Sequence, residues 1–230
     1  KVPHIPANGE VKIKMYYGNP SASAVSDGDK VFEFFDDFEN DLSKWNLVTD
    51  GGIIELSASY AKQGMQSCRI YHEGIRGTQY DTYISHDFGF SLDNVRLDAY
   101  LLHIAPEGVM FGGRSEKGDW IVLGDPEYSA NWKYRLGKTW YDSGIPRDIS
   151  SWHEFSIAKM RNTAKYWIDG TELTPKFGNP DFGRIGFGGF WEDEIETNLF
   201  VDIVRVRKYT EPEPTLTFSA EYPVVRTALT

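Results

Sequence analysis

The stretch Ser151-Trp152-His153-Glu154-Phe155-Ser156-Ile157-Ala158-Lys159 alternates between the two kinds of side chain that opposite faces of a strand require. Asn162-Thr163 turns the chain. Ala164-Lys165-Tyr166-Trp167-Ile168 then returns and stops on Asp169-Gly170. This pattern predicts a β-hairpin over the two runs. Two further β-rich runs follow it, Gly183 to Phe190 and Phe200 to Val206.

Working outward, the same kind of run recurs along the chain. Strands are expected at 31–35, 66–72, 80–88, 95–104, 108–114, 119–124, 130–136, 153–160, 164–169, 183–190 and 199–208, separated by Gly, Asn, Asp and Pro. Val11 to Tyr17 also alternates, and Thr215 to Phe218 has the residue types of one more strand. Helical periodicity is nearly absent, so strands do not alternate with helices and a parallel α/β sheet is disfavoured. The expected class is all-β: two antiparallel sheets packed face to face in a β-sandwich. The organisation expected is an N-terminal strand and linker over 1–30, left from a truncated preceding domain, a sandwich over 31–210 and a Pro-containing tail over 211–230.

Composition narrows the function classes. At 230 residues the chain is long enough to bury a sizeable core as one domain. A single Cys excludes an internal disulfide and a Cys-ligated zinc module, and Cys68 reads as a small buried apolar side chain. With 24 Lys+Arg against 34 Asp+Glu the formal charge is −10, which argues against a nucleic-acid surface. No apolar run approaches the roughly 18 residues of a membrane helix. The start, Lys1-Val2-Pro3-His4, lacks a signal-peptide core and an initiator Met, so a segment of a longer protein is expected.

The hairpin, Arg184-Ile185-Gly186-Phe187-Gly188-Gly189 and Phe200-Val201-Asp202-Ile203-Val204-Arg205-Val206-Arg207 together resemble the concanavalin-A-like lectin/glucanase (laminin-G-like) superfamily over about residues 31–210. That resemblance implies a jelly-roll sandwich. Met15 to Pro20, Ser26 to Phe38 and Arg205 to Pro214 resemble domain-of-unknown-function family 2341, which occurs in large prokaryotic surface and secreted proteins. It implies an extracellular or cell-envelope location, with other domains of the same polypeptide as partners.

Three groups of residues carry candidate chemistry. The first joins the acidic turn Asp36 to Asp41 with Asp202, a lone carboxylate in an apolar strand that is costly to bury unpaired. A hard cation takes six to eight oxygens at about 2.3–2.6 Å, and the turn and the late strand can supply some of them. The alternatives for Asp202 are a solvent-facing edge position or pairing with Arg69 or Arg205. In carbohydrate-binding jelly rolls a Phe-Glu turn closed by Trp, a Gly-x-x-Ser strand entry and a late-strand Asp surround a structural Ca²⁺. The resemblance therefore implies counterparts in Phe38-Glu39 with Trp45, Gly64 to Ser67 and Asp202, with Glu39, Asp202 and Asp37 as expected metal residues.

The second group is aromatic. Trp120, Tyr128, Trp132, Tyr134, Trp140 and Tyr141 are interleaved with Arg114, Asn131 and Arg135. Sugars stack their C–H faces on flat rings while neighbouring polar groups satisfy their hydroxyls, so Trp120, Trp132, Tyr134, Trp140 and Arg114 are the candidate glycan contacts. The competing assignment for the aromatics is core packing. The third group is Glu192, Glu194 and Glu196. Residues two apart on a strand share a face, and glycoside hydrolysis uses two carboxylates. The order of acidic and apolar residues departs from the glucanase pattern, however, and the stretch reads better as an exposed acidic loop.

The five His residues are scattered, with no pair at metal-ligand spacing. The reading that results is a non-catalytic, lectin-like module that binds a polysaccharide or other glycan with a structural calcium ion. The alternatives are a structural or protein-interaction spacer and a glycoside hydrolase using carboxylates in 192–196.

Overall fold

The structure, a computed structural model, describes residues 4–14, 19–21, 23, 26–74, 81–105, 107–113, 121–126, 129–178, 180–189 and 196–219. Among them, one turn of helix, α1 (Gly28–Val31), leads into the strands β1 (Phe34–Asp36), β2 (Asn46–Thr49), β3 (Ile53–Ser57), β4 (Ser67–His72), β5 (Thr82–Asp87), β6 (Val95–His103), β7 (Gly108–Gly112), β8 (Ile121–Asp125), β9 (Asn131–Leu136), β10 (Thr139–Pro146), β11 (Trp152–Met160), β12 (Thr163–Ile168), β13 (Thr171–Glu172), β14 (Lys176–Phe177), β15 (Arg184–Gly189) and β16 (Thr197–Lys208).

All the strand ladders are antiparallel, and they form two sheets. Sheet A runs β13-β12-β11-β6-β16-β4-β3, with β1 also on β16 and β14 on β12; sheet B runs β10-β9-β8-β7-β15-β5-β2. Leu97, Ala99 and Leu101 of β6, Phe155 and Ile157 of β11, and Leu199, Val201, Val204 and Val206 of β16 point inward from sheet A. They meet Ile84, Met110, Ile121, Leu123, Trp132, Tyr134, Ile185 and Phe187 of sheet B in one core. Alternation along each strand sends the remaining side chains to the two outer faces.

The expected hairpin is β11–β12, in register from Phe155 opposite Ile168 to Met160 opposite Thr163. Three expectations need correction. Val31 ends α1, which Asp27 caps by accepting from Lys30 N, so the strand begins only at Phe34. Residues 11–14 carry no strand, and Val11 and Ile13 are exposed; residues 15–17 lie outside the described residues. Residues 215–218 are likewise unpaired, with Leu216 and Phe218 exposed, because a strand needs a ladder partner as well as strand-forming residues.

Candidate functional site

Two arrangements follow from this frame. The first lies where β16 changes partners. β4 pairs with β16 from Thr197 to Val201, and β1 pairs with its later part, Val204 to Val206. Between them the register against β6 shifts, and Ile203 adopts φ 50, a backbone state that a β-branched residue rarely takes. Asp202 sits at this bulge, fully buried. Its Oδ2 accepts from the amides of Lys62 (2.8 Å) and Gln63 (3.1 Å), and its Oδ1 from Ile203 N (2.8 Å).

Glu39 reaches the same loop from the other side. Its Oε1 accepts from Met65 N (2.9 Å) and Gln66 N (3.1 Å), and Gln66 Nε2 donates to Phe38 O (2.9 Å). Gly64 makes room for it, since a Cβ there would lie 2.3 Å from Glu39 Oε1. Phe38, next to Glu39, also has positive φ, at 56. The turn is pinned from below by Asp36, whose carboxylate accepts from Phe38 N and, at 2.6 Å, from Trp45 Nε1. Trp45 stacks on Phe38 in the core.

The structure therefore brings together Glu39, Gly64 to Ser67 and Asp202. Neither alternative for Asp202 holds: it is not solvent-facing, Arg69 pairs with Glu55, and Arg205 pairs with Glu154. Burial pushes the Asp202 carboxyl up to about 6 against its three amide bonds, and the Glu39 charge adds to the rise. Asp37 makes its bond inside the turn, to Glu39 N at 3.4 Å. No cluster of three or more His, Cys, Asp or Glu side chains suited to a metal occurs among the described residues.

The second arrangement is the outer face of sheet B. The ladder registers line up one row across all seven strands: Trp140, Arg135, Val122, Phe111, Gly186, Ser85 and Asn46. The next row on the same face is Asp142, Lys133, Gly124, Val109, Gly188, Tyr83 and Val48. Val109, Phe111 and Val122 form a small apolar cluster separate from the core, with Tyr83 and half-buried Trp140 packed against it. The Arg135 guanidinium lies 5.4 Å from the centre of the Trp140 ring. Asp142 accepts from Asn131 (2.8 Å) and Lys133 (3.0 Å), and the Gly144 amide with these two pulls its carboxyl down to about 2. Aromatic, amide and charged groups thus share this one face.

Of the aromatic candidates, Trp140 stands on that face. Trp132 and Tyr134 do share a face, but the other one. Trp132 is enclosed by His103, His153 and Phe155, and Tyr134 by Tyr141 and Tyr166. Both are corrected to core residues, because Lys133 and Arg135 take the outer positions of β9 and burial of the larger rings decides the phase. Trp120, Arg114, Glu192 and Glu194 lie outside the described residues. The sequence reading missed Lys133 and Tyr83 as members of this face; their offset from the apolar phase of β9 and β5 was the available signal.

Sheet A differs on its outer side. Arg96 and Arg207 converge on buried Asp98 (2.7 and 2.9 Å), Arg205 on Glu154 (2.6 Å) and Arg69 on Glu55 (3.1 Å), so opposite charges face one another across it.

With this geometry in place, comparison with known proteins gives the following. The fold is that of the concanavalin-A-like jelly rolls. An endo-β-1,4-glucuronan lyase from the fungus Trichoderma reesei superposes with a TM-score of 0.57 at 13% identity, over 78% of this chain and 96% of that one. Domain 4 of AbnA, an extracellular arabinanase of Geobacillus stearothermophilus solved with arabinotriose, gives 0.53 at 17% identity, over 72% and 82%. The Bacillus licheniformis β-glucanase gives 0.51 at 12%, over 76% and 97%. Residues 1–48 match the family model "Domain of unknown function (DUF2341)". That match runs past β1 into β2, so its last part is built into the sandwich. No curated protein sequence matches the chain.

Proposed function

We propose that the chain is a non-catalytic glycan-binding module of a larger surface or secreted protein, with the outer face of sheet B around Trp140 as its binding surface. The observation that carries this reading is half-buried Trp140, backed by buried Arg135, on the same face as Lys133, Asn131 and Asp142: a flat ring for a sugar face with donors and acceptors next to it. The polysaccharide-acting and arabinotriose-bound proteins of the same fold support it as precedents. Fold alone does not imply function, so the face has to be tested directly.

A panel of plant, fungal and bacterial polysaccharides titrated by calorimetry or affinity electrophoresis makes that test. Binding without release of reducing ends is expected, and Trp140→Ala should weaken it about tenfold or more, the scale of one lost stacking partner. Absence of binding across the panel favours the structural-spacer reading. Chain cleavage would overturn the non-catalytic assignment.

A structural Ca²⁺ at the Glu39–Asp202 loop belongs to the same proposal. Two carboxylates converge on residues 62–66, each with lone pairs beyond those its amides use, and both adjoin residues held at positive φ. Calcium takes backbone carbonyls and water as well as carboxylates, so two acidic side chains suit such a site. Glu39 and Asp202 are the residues that would hold the ion.

A further inference from the structure

We propose that residues 209–213 are an electrostatic latch that holds the outgoing chain against the outer face of sheet A. Tyr209 is buried, its amide donates to Asn94 O (2.7 Å), and its ring meets Trp167 edge-on at 5.9 Å, completing a patch with Ala158 and Met160. Lys165 pairs with Glu211 and, at 3.3 Å, with Glu172. Glu213 spans two guanidinium groups, Arg96 at 3.1 Å and Arg207 at 2.5 Å.

The charge balance explains why the tail binds there. Arg96 and Arg207 bring two positive charges to one buried carboxylate, Asp98, and Arg96 also stacks on Trp167 at 4.1 Å. Desolvation alone would raise the Asp98 carboxyl, yet Arg96, Ser156 and Arg207 together hold it below the ordinary carboxylate range. The second positive charge is left over, and Glu213 neutralises it. The hold ends there, for Leu216 and Phe218 are 75% and 80% exposed. The first residues of the stretch expected as a Pro-containing tail are therefore docked.

The latch holds residues 209–213 on the outer face of sheet A, opposite the face of sheet B that carries Trp140. Presentation of that face rests on the proposed glycan reading; the latch itself does not, and its test uses no glycan.

Amide hydrogen exchange of the full chain over residues 207–218 tests it. The Tyr209 amide, bonded to Asn94 O, should be protected and the amides of 215–218 should not. Lys165→Glu, Glu211→Lys or Glu213→Gln alone should each speed exchange of the Tyr209 amide about tenfold, the scale of one charge-assisted hydrogen bond. The Lys165→Glu/Glu211→Lys pair should restore protection. Unchanged exchange over 155–157 in the same samples shows that β11 remains folded, and Glu213→Gln provides a milder variant. An unprotected Tyr209 amide in the unmodified chain, single variants without effect, or a reversed pair that fails to restore protection would overturn the latch.

Discussion

Glu107 is buried just before β7 with Thr197 Oγ1 at 3.1 Å from its Oε2. Burial pushes its carboxyl up to about 8 against the Thr197 bond, and the Asp125 and Asp81 charges add to the rise. A carboxyl raised in the fold stabilises it fully below about pH 4.5, and that contribution is lost as pH rises through 8. Glu107→Gln, which keeps a neutral partner for Thr197, should therefore gain on the unmodified chain between pH 5 and 8 and level off above, by about 3–5 kcal/mol at most. Melting temperatures of both proteins across that range check it; a constant difference would refute it. His103 runs the opposite way: burial pulls it down to about 4, so its contribution is present above pH 6.5 and lost as pH falls through 4. Neither residue stands out in the sequence, because one Glu and one His acquire their chemistry only from what encloses them. Trp132 and Trp140 make the same point. Alternation shows that Trp132 and Tyr134 share a face, but which face is inside depends on where the other sheet lies.

Among the elements, β15 and β16 show what residue pattern does and does not carry. The runs Gly183 to Phe190 and Phe200 to Val206 are legible as strands because each buries an apolar row. β2 and β10 escaped notice because much of each is exposed, so no clean apolar row marks them. The bulge in β16 is also illegible from pattern, since it arises where β4 gives way to β1 and the amides around Asp202 turn toward its carboxylate. β15 lies inside sheet B, between β5 and β7, and its Gly186 is steric in purpose. A Cβ on Gly186 would lie 2.2 Å from Phe111 Cζ and 2.5 Å from the Ile84 carbonyl oxygen. The backbone neighbour has no room to yield, so Gly186→Ala should cost about 2–3 kcal/mol. In a chain of this size that is a melting point lower by about 4–10 °C, measurable by circular dichroism; an unchanged melting point would show that the ladder can shift.

For the whole molecule, the two outer faces divide the roles. Sheet A faces its charges with opposite charges and takes the tail, while sheet B collects aromatic and polar groups in adjacent rows. The Glu39–Asp202 loop ties the first strand to the last, so an ion there would act on global stability. Millimolar Ca²⁺ should raise the melting temperature by a few degrees over EDTA through mass action on the folded state, and Glu39→Gln or Asp202→Asn should abolish the difference. Equal melting in Ca²⁺ and EDTA would remove calcium from the proposal and leave the loop held by its amide bonds alone. The amino-acid sequence by itself determined an all-β chain, the β11–β12 hairpin, a core of alternating apolar residues and the singular character of Asp202, because period-two burial and turn chemistry are local properties. Only the tertiary structure decided which face of β9 is inside, that the amides of Lys62, Gln63 and Ile203 hold the Asp202 carboxylate, and that the tail is docked. Those outcomes depend on contacts between residues far apart in the chain, whose energies exist only once both sheets are in place.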